Sequence, residues 1–273
     1  MKLSIITINY NNAQGLEKTI KSVVSQNYMD FEYIVIDGNS SDGSKNIIEK
    51  YADEIDYWIS EPDSGIYNAM NKGIRRANGE YLLFINSGDY LYENTTLENV
   101  FSGKTDTDII YGDLHRIFPD GLTDVVPMPE YVSIHYLLSA TLCHPVTFIR
   151  RILFQKYGFY REDLKIVSDW AFFLKIFAFG HISQKHIPII ISTFSMDGIS
   201  SKQENAITIM KEKEKVIQDN FSYELQDILN LYPKFNNFYN KRIFTLSRRL
   251  RSFFYHAVHF ASWEGYIHKY RIK

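Results

Sequence analysis

Two stretches decide the fold: EYIVIDGNSSDGS at residues 32–44 and EYLLFINSGDYL at residues 80–91. Each is a short apolar, β-branched or aromatic run that ends on a polar cluster carrying an acid, Asp37 in the first and Asp89 in the second. Continuous apolar runs of this length are fully buried strands rather than half-exposed ones. In an open α/β sheet, ligands bind outside the carboxyl ends of the strands. Two acids leaving two such strands therefore point to one cleft, suited to a nucleotide and a hard divalent cation.

Working outward, residues 3–9 form another apolar strand, and Asn11 and Asn12 are positioned to cap a helix that runs to about Gln26. A helix follows the 38–44 turn cluster as far as Tyr51, and a short strand is expected at Ile55–Ile59. Ser64 is the expected cap of the next helix, whose Ile66, Met70, Ile74 and Ala77 share a face, with Gly79 as its stop. Strand–helix alternation over the first ninety residues means βαβ units and a mostly parallel sheet. Beyond residue 105 the rhythm changes. A hairpin is expected over 108–126, a strand at 146–149, a buried helix at 169–179 capped by Ser168, and a strand at 187–193. From about Gln203 the pattern is helical to residue 273.

The 273 residues, 45% of them apolar, support one large domain or a domain with an appendage. The single Cys143 excludes an internal disulfide framework and fits a reducing compartment. No signal peptide and no membrane-spanning run is legible, so a cytoplasmic protein is expected. Neither a G-x-x-x-x-G-K-[ST] loop nor a G-x-G-x-x-G after the first strand occurs, which argues against P-loop NTPases and dinucleotide dehydrogenases. Without a glycine cradle, a bound diphosphate needs a cation, and Mg2+ or Mn2+ is commonly held by one or two carboxylates plus phosphate oxygens. Asp89 suits that task. Taken alone, Asp89 after Gly88 and Asp37 before Gly38 read more readily as turn residues.

The segments TINYNN, EYIVIDGNSSDGS, SEPDSGIYNAMNKGIRRANGEYLLFINSGD and IVSDWAFFLKI occur in that order. Together they resemble the family 2 glycosyltransferases over about residues 1–200. The resemblance implies an α/β GT-A (Rossmann-like) fold, a mostly parallel sheet flanked by helices. The expected division is a catalytic domain over 1–205, with a nucleotide-binding half to about 105 and an acceptor half over 106–205, and a helical C-terminal extension over 206–273. It also implies sugar transfer from a nucleoside diphosphate sugar, most often a UDP-sugar, to a hydroxyl of a glycan or lipid-linked acceptor. By position, Thr7, Asn9 and Tyr10 line the base and ribose pocket, Asp37 binds the base, and Asp63 and Lys72 flank the cleft. Asp89 matches the metal ligand. The D-x-D-D-like run of the family is here Asn86-Ser87-Gly88-Asp89, so the acid before the ligand is missing. Asp169 matches the catalytic base of an inverting reaction. A carboxylate is ionised at neutral pH, and the start of a helix favours that charge.

Other positions keep two readings. His144 approaches a phosphate or the acceptor, or is a loop histidine before a strand. Asp113 contacts acceptor hydroxyls or closes the hairpin. Gly198-Ile199-Ser200-Ser201 covers the diphosphate or merely connects. Between Lys241 and Lys273, eight Lys and Arg face the single acid Glu264, interleaved with Phe and Leu. That tail suits an anionic membrane surface, peripheral on its inner face, or packing on protein. Nucleic acid is not expected, because no recognition motif accompanies the charge. Two other functions compete: a nucleotide-sugar-forming nucleotidyltransferase, and a non-catalytic nucleotide-sugar-binding protein.

Overall fold

The computed structural model describes residues 1–103 and 105–222. The chain divides into two compact units, Met1–Glu212 and Lys213–Lys273. In the first unit, strands β1 (Leu3–Asn9), β2 (Phe31–Asp37), β3 (Tyr57–Ser60) and β4 (Tyr81–Phe84) alternate with helices α1 (Ala13–Val24), α2 (Ser44–Lys50) and α3 (Ile66–Arg76). All four strands are parallel, in the order β3-β2-β1-β4. Chain order reverses across β1, so the crevice beside its carboxyl end is the switch point where α/β sheets bind ligands. The rim is in register: Asn9 lies opposite Asp37, and Asp37 opposite Ser60.

Strands β1, β2 and β4 form because nearly every side chain in them is buried, while edge strand β3 is half-buried throughout. Leu3, Ile5, Ile6, Ile34, Val35, Leu82, Leu83 and Phe84 are fully enclosed, which requires cover on both faces. Close helix packing depends on glycine at two places. A Cβ on Gly73 of α3 would lie 2.4 Å from Ile6 Cγ2, and one on Gly79 would lie 2.5 Å from the backbone of Leu3 and Ser4. Gly79 is therefore not the helix stop expected from the sequence. Helix α3 already ends at Arg76, with Ala77 extended, and Gly79 lets the chain pass under β1. Buried Glu32 secures that passage, its Oε1 accepting from Ser4 Oγ at 2.6 Å and from Gly79 N at 3.2 Å.

The remaining elements are β5 (Tyr90–Leu91), α4 (Thr96–Phe101), β6 (Ile109–Ile117), β7 (Thr123–Val126), α5 (Ile134–Ser139), β8 (Thr147–Arg150), α6 (Ile152–Tyr157), α7 (Ser168–Phe179), β9 (Gln184–Ser195) and α8 (Ala206–Asn220). They extend the sheet as β4-β8-β6-β9-β5, with β7 also on β6. Here the pairing is mixed. β8 is antiparallel to β4 and β6, β7 to β6 and β5 to β9, while β6 and β9 are parallel. The sheet is thus α/β as expected, but partly antiparallel. A short turn after β6 can return the chain only in the opposite direction.

Two expected side-chain caps are not made, and the bonds near them hold the preceding loops. Gly65, at φ 123°, precedes α3, and Asp63 rather than Ser64 accepts its N–H, at 2.9 Å. Ser168 is the first residue of α7, and its hydroxyl has no partner. The N–H groups of Lys165, Ile166 and Val167 instead donate to the Glu212 carboxylate, at 2.7, 3.0 and 3.2 Å. Behind this anchor α7 is buried nearly all round, with Phe172 stacked on Phe154 at 4.4 Å and Trp170 Nε1 donating to Leu137 O at 2.6 Å. Helix from Gln203 is realised as a short turn and α8; the expected continuation and the basic tail over 241–273 lie outside the described residues. Among the described residues, no helix is long and apolar enough to cross a membrane.

Gly79→Ala forces a methyl group into the β1 backbone and is expected to cost about 1–3 kcal/mol, read as a lower midpoint in urea unfolding. A midpoint equal to the wild type would contradict this packing.

Candidate active site

The end of β1 organises the site. Asn9 Nδ2 donates to Asp37 Oδ1 at 2.7 Å. The same oxygen accepts from Ser40 Oγ at 2.6 Å, and Oδ2 accepts from Ser60 Oγ at 2.6 Å and from Ser40 N at 3.0 Å. Burial pushes the Asp37 carboxyl up, but these four donors outweigh it and hold the group below the ordinary carboxylate value. The loops after β1 and β2 are joined by Asn11 N on Ser40 Oγ at 2.8 Å and Ser41 N on Asn11 Oδ1 at 2.9 Å. Asn11 and Asn39 both take positive φ, 49° and 63°, as short polar side chains tolerate. Above Asp37 lies Gly38. A Cβ there would meet Asp63 Oδ2 at 2.6 Å and Tyr10 Cδ2 at 3.1 Å, so Tyr10, Gly38 and Asp63 form one surface. Tyr10 is 68% exposed, while Asn9 Oδ1 is buried without a partner.

Thr7 and Lys72 are engaged within the protein. Buried Thr7 donates to Ile85 O at 2.7 Å and so ties β1 to β4. Lys72 Nζ donates to Pro62 O at 3.0 Å and pairs with Glu61 at 2.8 Å.

Asp89 sits in the loop after β4, which is fastened to β1 and α1. Ser87 N donates to Ile8 O at 3.0 Å and Asn12 Nδ2 to Ser87 O at 3.0 Å. The Thr19 hydroxyl donates to Asp89 O at 2.6 Å and accepts from Gly88 N at 3.0 Å. Gly88 takes φ 105° in this turn. The Asp89 carboxylate is 6% exposed. Among the described residues, the hydrogen bond it accepts is from Ser195 N, at 3.3 Å. Burial pushes its carboxyl up to about 7, against the His144 imidazole and the Ser195 N–H, with Asp197 adding to the rise.

Asp169 lies in the first turn of α7 and keeps 15% of its side chain exposed. Its Oδ1 accepts from Trp170 N at 2.8 Å and lies 3.1 Å from the Tyr67 hydroxyl, which itself is 2.5 Å from Ile166 O. Burial, with the nearby Asp169, pushes the Tyr67 hydroxyl well above its ordinary value, so it remains a donor. Asp169 Oδ2 is 3.2 Å from His144 Nδ1, and His144 Nε2 is 3.0 Å from Asn86 Nδ2. His144 begins a single helical turn ahead of β8.

Hydrogen bonds alternating with short backbone steps therefore connect the segments that carry three of the expected acids. The path runs from Asp37 through Asn9 to the end of β1, from Ile8 to the Asn86–Asp89 loop, and through His144 to Asp169. Asp113 lies apart from this path. It is buried in β6 where the β6–β9 register shifts, accepting from Met128 N at 3.0 Å and sitting 2.9 Å from His186 Nε2. Sequence reasoning missed Ser40, Ser60, Tyr67, Asn86 and Glu212. Ser60 carried a signal, since it ends β3 as Asp37 ends β2. Asn86 was seen only as a missing acid.

The model of glycosyl transferase family 2 matches residues 4–173. A PGL/p-HBAD biosynthesis glycosyltransferase of Mycobacterium bovis is 29% identical over 71% of this chain and 77% of its own length. A glycosyltransferase of Mycobacterium tuberculosis is 33% identical over 74% of this chain and 78% of its own. Among solved structures, Staphylococcus aureus TarS in complex with UDP-GlcNAc superposes with a TM-score of 0.63 at 20% identity, covering 83% of this chain and 69% of that one. The mannosyltransferase PcManGT of Pyrobaculum calidifontis, in complex with GDP-Man and Mn2+, gives 0.61 at 15% identity, covering 97% and 81%. The chain belongs to glycosyl transferase family 2 and has the GT-A fold.

The Asp37 network also carries a pH signature. Its folded-state carboxyl titrates below the unfolded value near ~3.9, so its stabilisation is complete above that value and is lost as pH falls through the folded one. Asp37→Asn is expected to be about 1–3 kcal/mol less stable at neutral pH and to lose less further stability than the wild type between about pH 5 and about pH 3. Parallel stability–pH curves for the two proteins would contradict the assignment.

Proposed function

We propose that this family 2 glycosyltransferase moves a sugar from a nucleoside diphosphate sugar, a UDP-sugar, to a hydroxyl of a glycan or lipid-linked acceptor, with inversion at the anomeric carbon. The observation that carries this reading is the double hydrogen bond of His144, which ties the Asp89 loop to Asp169. It sets a buried carboxylate short of donors beside a better-held, partly exposed one. The first suits a cation on a diphosphate and the second suits proton removal.

In this reading Asn9, Tyr10, Asp37 and Asp63 receive the base and ribose, with Thr7 and Lys72 bracing the loops behind them. The residues present fit a divalent cation, Mn2+ or Mg2+. Among the described residues, Asp89 accepts one long hydrogen bond and the buried Asn86 Oδ1 has no partner. No cluster of three or more acidic, His or Cys ligands occurs among the described residues. That suits an ion held by one carboxylate and completed by phosphate oxygens and water. When bound, the ion stabilises the charge that develops on the departing diphosphate.

Asp169 then serves as general base. The acceptor hydroxyl oxygen attacks the anomeric carbon from the face opposite the diphosphate, and its proton passes to an Asp169 oxygen. One carbon–oxygen bond forms as the other breaks, which inverts the configuration. Both oxygens of Asp169 keep a lone pair beyond the bonds described, and helix α7, whose first turns are buried, holds the group in place. The UDP-GlcNAc and GDP-Man–Mn2+ complexes of the structural relatives support a nucleotide sugar and a cation as partners. We place the protein in the cytoplasm, at the inner face of the membrane where the basic 241–273 segment meets anionic lipid.

Asp169→Asn keeps the shape but removes the base; turnover is expected to fall by about 10²–10⁴-fold with nucleotide-sugar affinity nearly unchanged in calorimetry. Full turnover would refute the role. Asp89→Ala is expected to abolish the effect of Mn2+ on nucleotide affinity, and an EDTA response equal to the wild type would count against it. A thermal-shift panel of UDP-, GDP-, CMP- and dTDP-sugars with Mn2+ is expected to single out a UDP-sugar, because a native-state ligand raises the melting point. A larger shift with a GDP-, CMP- or dTDP-sugar would overturn the choice of base.

A further inference from the structure

His144 is the side chain that both halves of the site share, and sugar transfer as written above gives it no task. Its surroundings fix its chemistry. Nδ1 faces Asp169 Oδ2 at 3.2 Å, and an ionised carboxylate only accepts, so Nδ1 must carry the proton. As the Asn86 amide is placed, its nitrogen faces Nε2 at 3.0 Å, and because an amide nitrogen only donates, that placement pairs with a bare Nε2. The two contacts select one neutral tautomer. They also occupy both ring nitrogens, so the ring is not available to carry a proton away from Asp169 or to meet a phosphate.

The other donors around Asp169 do not substitute for it. Trp170 N reaches Oδ1 at 2.8 Å. The single proton of Tyr67 is drawn to Ile166 O at 2.5 Å, closer than Oδ1 at 3.1 Å. Both act on Oδ1. Among the described residues, His144 is the donor on Oδ2, and it fixes the carboxylate's rotation about its last bond. Burial keeps the arrangement rigid, since the side chains of His144 and Asp169 are 16% and 15% exposed.

We infer that His144 is a positioning residue: locked by Asn86 as the Nδ1–H tautomer, it aims the Asp169 carboxylate and ties that aim to the loop carrying Asp89. The inference rests on the reading of Asp169 as base. It means that Asn86, standing where the family motif has an acid, holds the site together through its amide, which a carboxylate cannot do in the same way. Aspartate there would present acceptors to Nε2 and favour a doubly protonated ring.

The test has two parts. Ring ¹⁵N spectra of histidine-labelled protein, with His144 assigned by its absence from His144→Asn, should show Nδ1 protonated and Nε2 bare. In Asn86→Asp the ring should become protonated on both nitrogens. A wild-type ring that is bare on Nδ1 or protonated on both overturns the inference.

The second part measures nucleoside diphosphate release to water, with Mn2+, from the nucleotide sugar giving the largest melting shift. His144→Ala is expected to lower kcat by about 10- to 100-fold with donor affinity within about twofold. His144→Asn restores an N–H at the Nδ1 position and should recover most of the rate. A His144→Ala kcat within about threefold of wild type, or no recovery in His144→Asn, overturns the positioning role. Asp169→Asn, run alongside, separates the two failures. If it is inactive while His144→Ala is normal, the base stands and the positioning role falls; if it is fully active, the base reading itself fails and the inference with it.

Discussion

A carboxylate cannot be buried without compensation for the water it gives up, and the three acids of this site meet that constraint differently. Asp37 accepts four donors, from Asn9, Ser40 and Ser60. Asp169 is held by Trp170 N and His144, with Tyr67 beside it. Asp89, 6% exposed, accepts one 3.3 Å bond, from Ser195 N, among the described residues. The folded chain thus completes the environments of two acids and leaves the third short of positive charge. The roles proposed follow that gradient: a rigid acid for recognition, an oriented one for proton removal, and an under-compensated one for a cation.

The topology brings these environments together. Parallel β1, β2 and β3 end level with one another, which places Asn9, Asp37 and Ser60 in one row. The crossing to β4 on the other side of β1 puts the Asp89 loop beside the same strand end, fixed by Ile8 and Thr19. The mixed half of the sheet then returns His144 and Asp169 to this rim, α7 being anchored by Glu212 at its start and packed on Phe154 and Leu137 along its length. Behind the site an aromatic cluster of Phe84, Phe154, Tyr160 and Phe172 joins distant segments, while His144 meets Asn86 and Asp169 through one hydrogen bond each, a geometry sensitive to one-atom changes.

Much of this was legible in the sequence, and for a physical reason. Strands buried on both faces must be apolar throughout, so β1, β2 and β4 stand out, and the acids that follow them mark the rim. The buried helix α7 was visible in the same way. β5, with two residues, and α5 and α6, with six each, are too short to show a period. The antiparallel pairing of β8 with β4 depends on contacts between residues some seventy positions apart. Caps were misassigned at α3 and α7, which start without a side-chain cap; Glu212 instead binds the N–H groups of the loop before Ser168. Asn86 was the most instructive miss. Set against a motif it is a lost acid, whereas in the fold its amide nitrogen meets His144 Nε2 at 3.0 Å.

Anomalous diffraction from crystals grown with Mn2+ and a nucleoside diphosphate sugar tests the central claim most directly. The account predicts one manganese peak between the Asp89 carboxylate and the diphosphate, with Asp169 on the far side of the sugar's anomeric carbon. A nucleotide seated over Gly38 with the manganese bound elsewhere, and Asp89 touching neither ion nor phosphate, would contradict it.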